Sequence, residues 1–343
     1  MSTLSSAEPS APLIVDFADN RLLAALFGEH DRHLARIEQR LGVTLVPHGN
    51  RIAITGEASA SRAARETLYD LYRRLEKGQE INVGEVDGAL RLVVARGAGA
   101  IDSDAGKVQP SAPGRPVDEL VVRTQKRVIW PRSATQVQYL EALKSNELVF
   151  GLGPAGTGKT YLAVAVGVSM LVEGQVDRLI LTRPAVEAGE RLGFLPGTMD
   201  EKVDPYMRPM YDALYDMMPG ERVMKRRDDG EIEVAPVAYM RGRTLANAFI
   251  ILDEAQNTTP MQMKMILTRM GENSRMVVTG DPSQTDLPLG TKSGLKDVLE
   301  LLGDIEGATV VEFTHADVVR HHLVTQLVQA YNARDRGLLD REP

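Results

Sequence analysis

The chain predicts an α/β domain with a parallel sheet and helices on both faces, preceded by a small α+β domain. Three observations carry this. From Leu120 to about Arg336, short apolar runs alternate with helical patterns, the rhythm of βα units. A glycine-rich loop, Gly153-Pro154-Ala155-Gly156-Thr157-Gly158-Lys159-Thr160, joins the apolar run Leu148–Leu152 to the helical stretch Tyr161–Val172. Ahead of these, residues 13–77 mix short alternating runs with stretches of 3.6-residue periodicity.

Taken in order, residues 1–12 are rich in Ser, Ala and Pro and read as disordered. Leu13–Phe17 reads as a strand, Asn20–Phe27 and Asp31–Leu41 as helices, the second with Leu34, Ile37 and Leu41 on one face. Val43–Val46 and Arg51–Thr55 form a hairpin about His48-Gly49-Asn50, and Ser59–Leu75 is a third helix. Ile81–Val94 docks on either domain, so residues 13–95 form the first domain with its connecting segment. Arg96–Asp118 is a Gly-, Ala- and Pro-rich flexible linker. The second domain, 119–336, has strands near Leu148–Leu152, Leu179–Thr182, Phe249–Leu252, Met276–Thr279 and Thr309–Phe313, and a tail covers 337–343. The insertion Pro219–Arg243 breaks this rhythm. Asp229-Gly230 signals a hairpin whose tip carries Lys225-Arg226-Arg227, a solvated tip or a nucleic-acid contact.

Composition narrows the function classes. A chain of 343 residues can bury a full core and make two domains. Its net charge of −7 argues against a protein that coats nucleic acid by bulk charge, and 5% aromatics leave few stacking platforms for bases. The absence of cysteine excludes disulfides and thiolate chemistry. The opening residues lack the shape of a secretion signal, and no apolar run is long enough to cross a bilayer. A cytoplasmic protein without a membrane partner is the expectation.

The glycine-rich loop fills G-x-x-x-x-G-K-[ST] at every position. Small residues let the backbone curl until several N–H groups face one anion, and the helix that follows adds its dipole. Lys159 is placed to reach the β- and γ-phosphates and Thr160 to ligate Mg²⁺, with Tyr161 next in line. A second motif, Phe249–Asn257, sets the acidic pair Asp253-Glu254 at the carboxyl end of an apolar strand, where open α/β sheets bind ligands. Asp253 is the candidate Mg²⁺ holder and Glu254 the candidate general base. Thr258-Thr259-Pro260 caps the helix that follows. A third motif, Gly280–Asp286, offers Gln284 to sense the γ-phosphate or orient water, with Asp281 in support. Met261, Met263, Met265 and Met270 read as packing, and His315, His321 and His322 lack the partners a zinc site needs.

Five segments together resemble one family, the PhoH-like ATPases of bacteria. They are the phosphate loop, Thr182–Gly197, Tyr239–Leu245, Asp253–Asn257 and Thr279–Pro288. That family resembles in turn the single core domain of superfamily 1 helicases, which implies a RecA-like parallel sheet, ATP and Mg²⁺ as cofactors, and RNA as a partner. By that resemblance Gln136 reads adenine, and Arg183, Glu187 and Arg191 couple the ATP state to a nucleic-acid strand or form a subunit interface; they follow the strand next to the phosphate loop. The first domain resembles a KH-type RNA-binding fold. Its G-x-x-G position reads Gly28-Glu29-His30-Asp31, whose second glycine is replaced and whose two acids oppose phosphate. His30, Arg32 and His33 remain as contributors, against a docking or oligomer-stabilising role. A YbeY-type endoribonuclease is a partner by resemblance alone.

Phosphoryl transfer at such sites calls on an arginine, and no second core domain is present to supply one. It comes in cis, from Arg183, Arg191, Arg241, Arg243 or the favoured Arg320, or from a neighbouring subunit, which implies a homo-oligomer such as a ring. Two functions follow: an RNA-dependent ATPase or helicase in RNA processing, or a nucleotide-switched assembly protein.

Overall fold

The computed structural model describes residues 12–99, 120–184, 199–288, 290–302 and 305–319, together with 327 and 334. The expected N-terminal disorder, most of the expected linker, the C-terminal tail, and Glu187, Arg191, Arg320, His321 and His322 lie outside the described residues.

Contacts divide the chain into two units. The first holds residues up to Leu120 together with Trp130–Val137; the second holds Val121–Ile129 and Gln138 onward. In the first unit, β1 (Leu13–Asp16) leads through a 3₁₀ turn into α1 (Leu23–Phe27) and then α2 (Arg32–Leu41). The hairpin β2 (Thr44–His48) and β3 (Arg51–Thr55) is followed by α3 (Ala58–Glu76) and α4 (Val83–Gly99). The sheet is antiparallel, in the order β1-β3-β2. Its core draws Val15, Ile52 and Ile54 from the sheet and Leu34, Ile37, Leu68 and Leu71 from the helices.

The sequence left open which domain takes the segment after Ile81. The segment after Ile81 belongs to the first unit, because Val86, Ala89 and Leu90 of α4 complete that core. The helix also runs on through Gly99, past the expected linker start at Arg96. Trp130 groups here rather than with the second domain. Fully buried Arg74 stacks its guanidinium 4.9 Å from the indole centroid and pairs with Asp70 at 2.5 Å and Glu85 at 3.2 Å. The Gly28–Asp31 loop places His30 and Asp31 in the left-handed region, at φ 53° and 57°. His33 is not available to a strand of RNA: it is 1% exposed, with Nδ1 3.1 Å from the Leu26 carbonyl.

The second unit begins with a short ladder, β4 (Val122–Arg123) against β5 (Val128–Ile129). Helix α5 (Ala134–Ser145) precedes β6 (Leu148–Leu152), α6 (Lys159–Val172) and β7 (Arg178–Arg183). After α7 (Met199–Met217) come α8 (Gly220–Asp228), β8 (Ile232–Pro236), β9 (Ala248–Leu252) and α9 (Pro260–Leu267). The last elements are β10 (Arg275–Gly280), α10 (Gly294–Leu299) and β11 (Ala308–Glu312). The six strands run parallel in the order β11-β6-β10-β9-β7-β8. One face packs on α6 and α7 through Val149, Leu179, Phe249 and Val277; the other packs on α9 and α10 through Phe150, Ile180, Ile250 and Val278. Strands buried on both faces read as apolar runs, which is why β6, β7, β9 and β10 matched expectation; the edge strand β11 matched as well, on its Val310-Val311 pair.

Three expectations need correction. The basic triplet Lys225-Arg226-Arg227 sits on the last turn of α8, and Gly230, at φ 75°, ends that helix instead of turning a hairpin. The Gly230 and Glu231 amides bond back to the Arg227 and Arg226 carbonyls, and the chain then enters β8 at the sheet edge. The strand next to the phosphate-loop strand is not β7: β10 and β9 lie between β6 and β7. Met263 and Met265 on α9 and Met270 beyond its end pack on the core, but Met261 is 72% exposed.

Candidate active site

The carboxyl ends of β6, β9 and β10 meet at one cleft, the edge where parallel sheets take ligands. The loop from β6 curls through Gly153, Gly156 and Gly158, whose φ values are 127°, 83° and 87°. Its base is tied down by the Gly153 amide on the Gly280 carbonyl at 3.0 Å and by the Phe313 amide on the Leu152 carbonyl at 2.7 Å. Its crown is held where the Val319 amide meets the Gly156 carbonyl at 2.9 Å. Thr157 is buried inside, its hydroxyl donating to the Pro154 carbonyl at 3.0 Å. Lys159 opens α6 and folds over the loop, donating to the Gly153 carbonyl at 2.6 Å and the Pro154 carbonyl at 2.9 Å. The cleft measures about 250 Å³ and is lined by Ala155 and Lys159 from the loop, Asp253 and Glu254 from β9, and Asp281 and Gln284 from β10, among others.

The first and second motifs touch. Thr160 Oγ1 donates to Asp253 Oδ1 at 2.7 Å, and Thr279 Oγ1 donates to the same oxygen at 2.6 Å. The hydroxyl and carboxylate are hard oxygen donors facing one space, a set that fits Mg²⁺. Thr279 escaped the sequence reading because it acts only through the neighbouring strand β10.

Glu254 stands beyond the strand end with φ 51° and ψ 40°, a left-handed conformation uncommon for a non-glycine residue. The Gln256 amide nitrogen donates to its Oε2, and Gln256 Oε1 accepts the Asp281 amide at 3.1 Å. Gln256 therefore bridges the second and third motifs; the sequence reading assigned it nothing. Asp281 accepts from the Ser283 amide at 2.9 Å and hydroxyl at 2.6 Å, and its carbonyl takes the Gln284 amide at 3.0 Å. Asn257 and Asp286 exchange a pair of hydrogen bonds at 3.0 and 2.8 Å, which pins the far side of this turn.

Other predicted residues fall elsewhere or in different company. Tyr161 lines the cleft and donates its hydroxyl to Asp216 on α7 at 3.0 Å. Gln136 groups with the first unit; it is buried, and its carboxamide oxygen accepts the Arg132 amide at 2.7 Å. Arg183 closes β7 and points at the acidic pair, with Nη2 3.7 Å from Glu254 Oε1. Arg243 forks onto Glu233 of β8 at 2.6 and 2.7 Å, which holds its guanidinium charged more firmly than usual and occupies it as an ion-pair partner. Arg241 lies on the exposed turn after the 3₁₀ segment Val237–Met240.

Tyr139 carries no assignment from the sequence. Its ring lies under the phosphate-loop strand: a Cβ on Gly151 would meet it at 2.9 Å. Burial, with a smaller contribution from Asp253, pushes its phenol well above the ordinary range, so it stays protonated. Among the described residues the hydroxyl finds no hydrogen-bond partner. Tyr139→Phe is expected to leave thermal stability unchanged or to raise it by about 1 kcal/mol, because an unpaired buried hydroxyl is a net cost. Thermal melting checks this; a clear loss of stability would mean the hydroxyl has a partner.

Among the described residues no His, Cys, Asp or Glu cluster of three forms a metal site, and no helix is long and apolar enough to cross a membrane.

Known proteins bear on this architecture. The PhoH-like protein family matches residues 128–332, a span that holds the whole cleft. A PhoH-like protein of Mycobacterium tuberculosis is 46% identical over 310 residues, covering 90% of this chain and 85% of that protein. One from Bacillus subtilis is 44% identical over 311 residues, covering 91% and 94%. Protein PhoH of Escherichia coli is 47% identical over 207 residues, covering 60% and 58%. A phosphate loop, an acidic strand end and matches of this length lead to one statement: the chain belongs to the PhoH-like protein family, a family of the phosphate-loop NTPase type.

Proposed function

We propose that this protein binds ATP with Mg²⁺ in the cleft between the phosphate loop and the acidic pair, and hydrolyses it. The observation that supports this reading most is the Thr160–Asp253 contact at 2.7 Å, which brings two motifs far apart in sequence into direct contact at the cleft. In this reading the loop amides and Lys159 cradle the β- and γ-phosphates, and Lys159 exchanges its loop carbonyls for phosphate oxygens. Bound Mg²⁺ would offset triphosphate charge, held by Thr160 and Asp253. Water attacks the γ-phosphorus as the bond to the β–γ bridging oxygen breaks; Glu254 takes the water proton, and ADP and phosphate leave. Gln284 orients that water, and Tyr161 completes the nucleotide pocket.

Thr279→Val is expected to raise the Mg²⁺ concentration for half-maximal turnover about 10-fold, since groups that orient a ligating carboxylate typically matter that much. A magnesium titration of turnover checks it; an unchanged midpoint would remove Thr279 from metal positioning.

Among the described residues that line the cleft none is an arginine. In this reading Arg320 supplies the cation in cis or a neighbouring subunit supplies it, and the second option implies a homo-oligomer such as a ring. RNA, contacted through Arg183, Glu187 and Arg191, is the partner we favour, with hydrolysis serving RNA processing in the cytoplasm; a YbeY-type endoribonuclease is a further candidate partner. ATP hydrolysis measured with and without single-stranded RNA tests the reading. Stimulation by RNA that is lost in Lys159→Ala supports it. Equal turnover in both conditions with no RNA binding would leave the alternative, a nucleotide-switched assembly protein.

A further inference from the structure

Tyr161 stands on the first turn of α6, one residue past Thr160, and lines the cleft. Successive side chains on a helix lie about 100° apart, so Tyr161 turns away from the side where Lys159 and Thr160 would meet a triphosphate. Its ring packs on the core that α6 and α7 share with the sheet. Its hydroxyl is fixed at the far end, donating to Asp216 Oδ2 at 3.0 Å. Asp216 is not among the described residues that line the cleft. The hydroxyl is therefore committed to α7, and the part of the side chain left for the cleft is the apolar ring.

The carboxylate that holds this hydroxyl is itself held. Its Oδ1 pairs with Arg127 Nη2 at 2.8 Å. Arg127 belongs to the turn between β4 and β5, which is closed by the Thr124 amide on the Arg127 carbonyl at 2.9 Å. The same turn clasps the end of α7. The Lys126 amide donates to the Met217 carbonyl at 3.1 Å, and Lys126 Nζ donates to the Tyr215 carbonyl at 2.6 Å. On its other side α7 is seated on the sheet through Met210, Leu214 and Met217. Asp216 thus stands on a helix end fixed by packing and by the turn. A charge-assisted bond to so fixed an acceptor holds the Tyr161 ring in one orientation before any ligand arrives.

We infer that Tyr161 is a preset platform on which the base of the bound nucleotide stacks, and that Asp216 is its positioning residue, buttressed by the β4–β5 turn. This deepens the nucleotide-binding reading and rests on it. A ring already fixed loses little freedom on binding, and an aromatic face accepts any base, so Tyr161 adds affinity for the nucleoside half without selecting it. The phosphates, held by the loop amides and Lys159, gain nothing from the platform.

The test compares binding of ATP and of inorganic tripolyphosphate to the full chain by titration calorimetry, both with Mg²⁺. Tyr161→Ala is expected to weaken ATP about 10-fold or more, the scale of a lost base–aromatic stack. Tyr161→Phe and Asp216→Ala are each expected to weaken it about 3-fold, the cost of ordering a ring left loose. Tripolyphosphate affinity is expected to stay at the wild-type value in all three, whereas Lys159→Ala weakens both ligands. Combining Asp216→Ala with Tyr161→Phe is expected to add nothing, because both remove the same tie. Melting temperatures show that each variant folds. Equal losses for ATP and tripolyphosphate would overturn the platform, since a contact that only joins α6 to α7 disturbs the loop for both ligands. An ATP affinity that Tyr161→Ala leaves unchanged would overturn it too, and additive losses in the double variant would remove Asp216 from the positioning role. Wild type that binds neither ligand would instead sink the nucleotide-binding reading itself, a result distinct from failure of the platform, which leaves wild-type binding in place.

Discussion

Glu254→Gln is expected to cut ATP turnover by about 10²–10⁴-fold while leaving ATP bound, the range that a positioned general base contributes. The substitution is close to isosteric. The Gln256 contact survives through the carboxamide oxygen, and the Arg183 partner loses only its charge. Neither Thr160 nor Asp253 touches Glu254 in the hydrogen-bond network, so the metal-facing oxygens stay as they are. What disappears is the half-buried carboxylate just past the strand end, whereas Asp253 is buried. That contrast fits their roles: the buried acid takes two hydroxyl donors on one oxygen, and the outer one is open to water. Single-turnover hydrolysis and filter binding of labelled ATP, run on the same sample, separate chemistry from affinity. Turnover within a few-fold of wild type would take Glu254 out of the base role, and loss of ATP binding with turnover would mean that the substitution disturbed the pocket.

Much of this site was legible in the sequence because its motifs are local. The phosphate loop needs glycine at fixed offsets, and the acidic pair ends an apolar run, so both appear within a few residues. The residues that escaped act across the sheet. Thr279 and Gln256 matter through Asp253 and Asp281, which register between β9 and β10 brings near. No periodicity encodes such a pairing. The fold followed the same division. The four central strands carry long apolar runs, and the edge strand β11 still offers Val310 and Val311, but β8, Ile232–Pro236, lies at the other edge with Glu233 and a terminal proline and so lacks that signature. Asp229-Gly230 misled for a related reason. A helix end and a tight hairpin both want a glycine at positive φ, and the residues alone do not say which of them is being built. Arg183 belongs to a string legible as family-specific, yet the acid it faces is on another strand and could not be read from its neighbours.

Gly153→Ala is expected to destabilise the second unit by about 3 kcal/mol or more and to abolish nucleotide binding, because two costs coincide there. At φ 127° the backbone adopts a conformation that L side chains rarely take. The added Cβ would also lie 2.2 Å from the Phe313 carbonyl oxygen and 2.9 Å from its carbon, and both are backbone atoms that cannot swing aside. Relief requires β6 and the end of β11 to part, which breaks the Phe313–Leu152 hydrogen bond at 2.7 Å. The Gly153–Gly280 bond at 3.0 Å is placed on the same residue, so a shift that spares one contact loads the other. Gly174→Ala supplies the control. It shares a positive φ of 70° but meets nothing within 4 Å, so it carries only the backbone cost, about 1 kcal/mol. Thermal melts of the two variants should therefore differ by roughly 4–8 °C, given 2–4 °C per kcal/mol for a domain of this size. Equal shifts would show that the wall formed by Phe313 yields, and that the loop is anchored less firmly to β11 than its hydrogen bonds indicate.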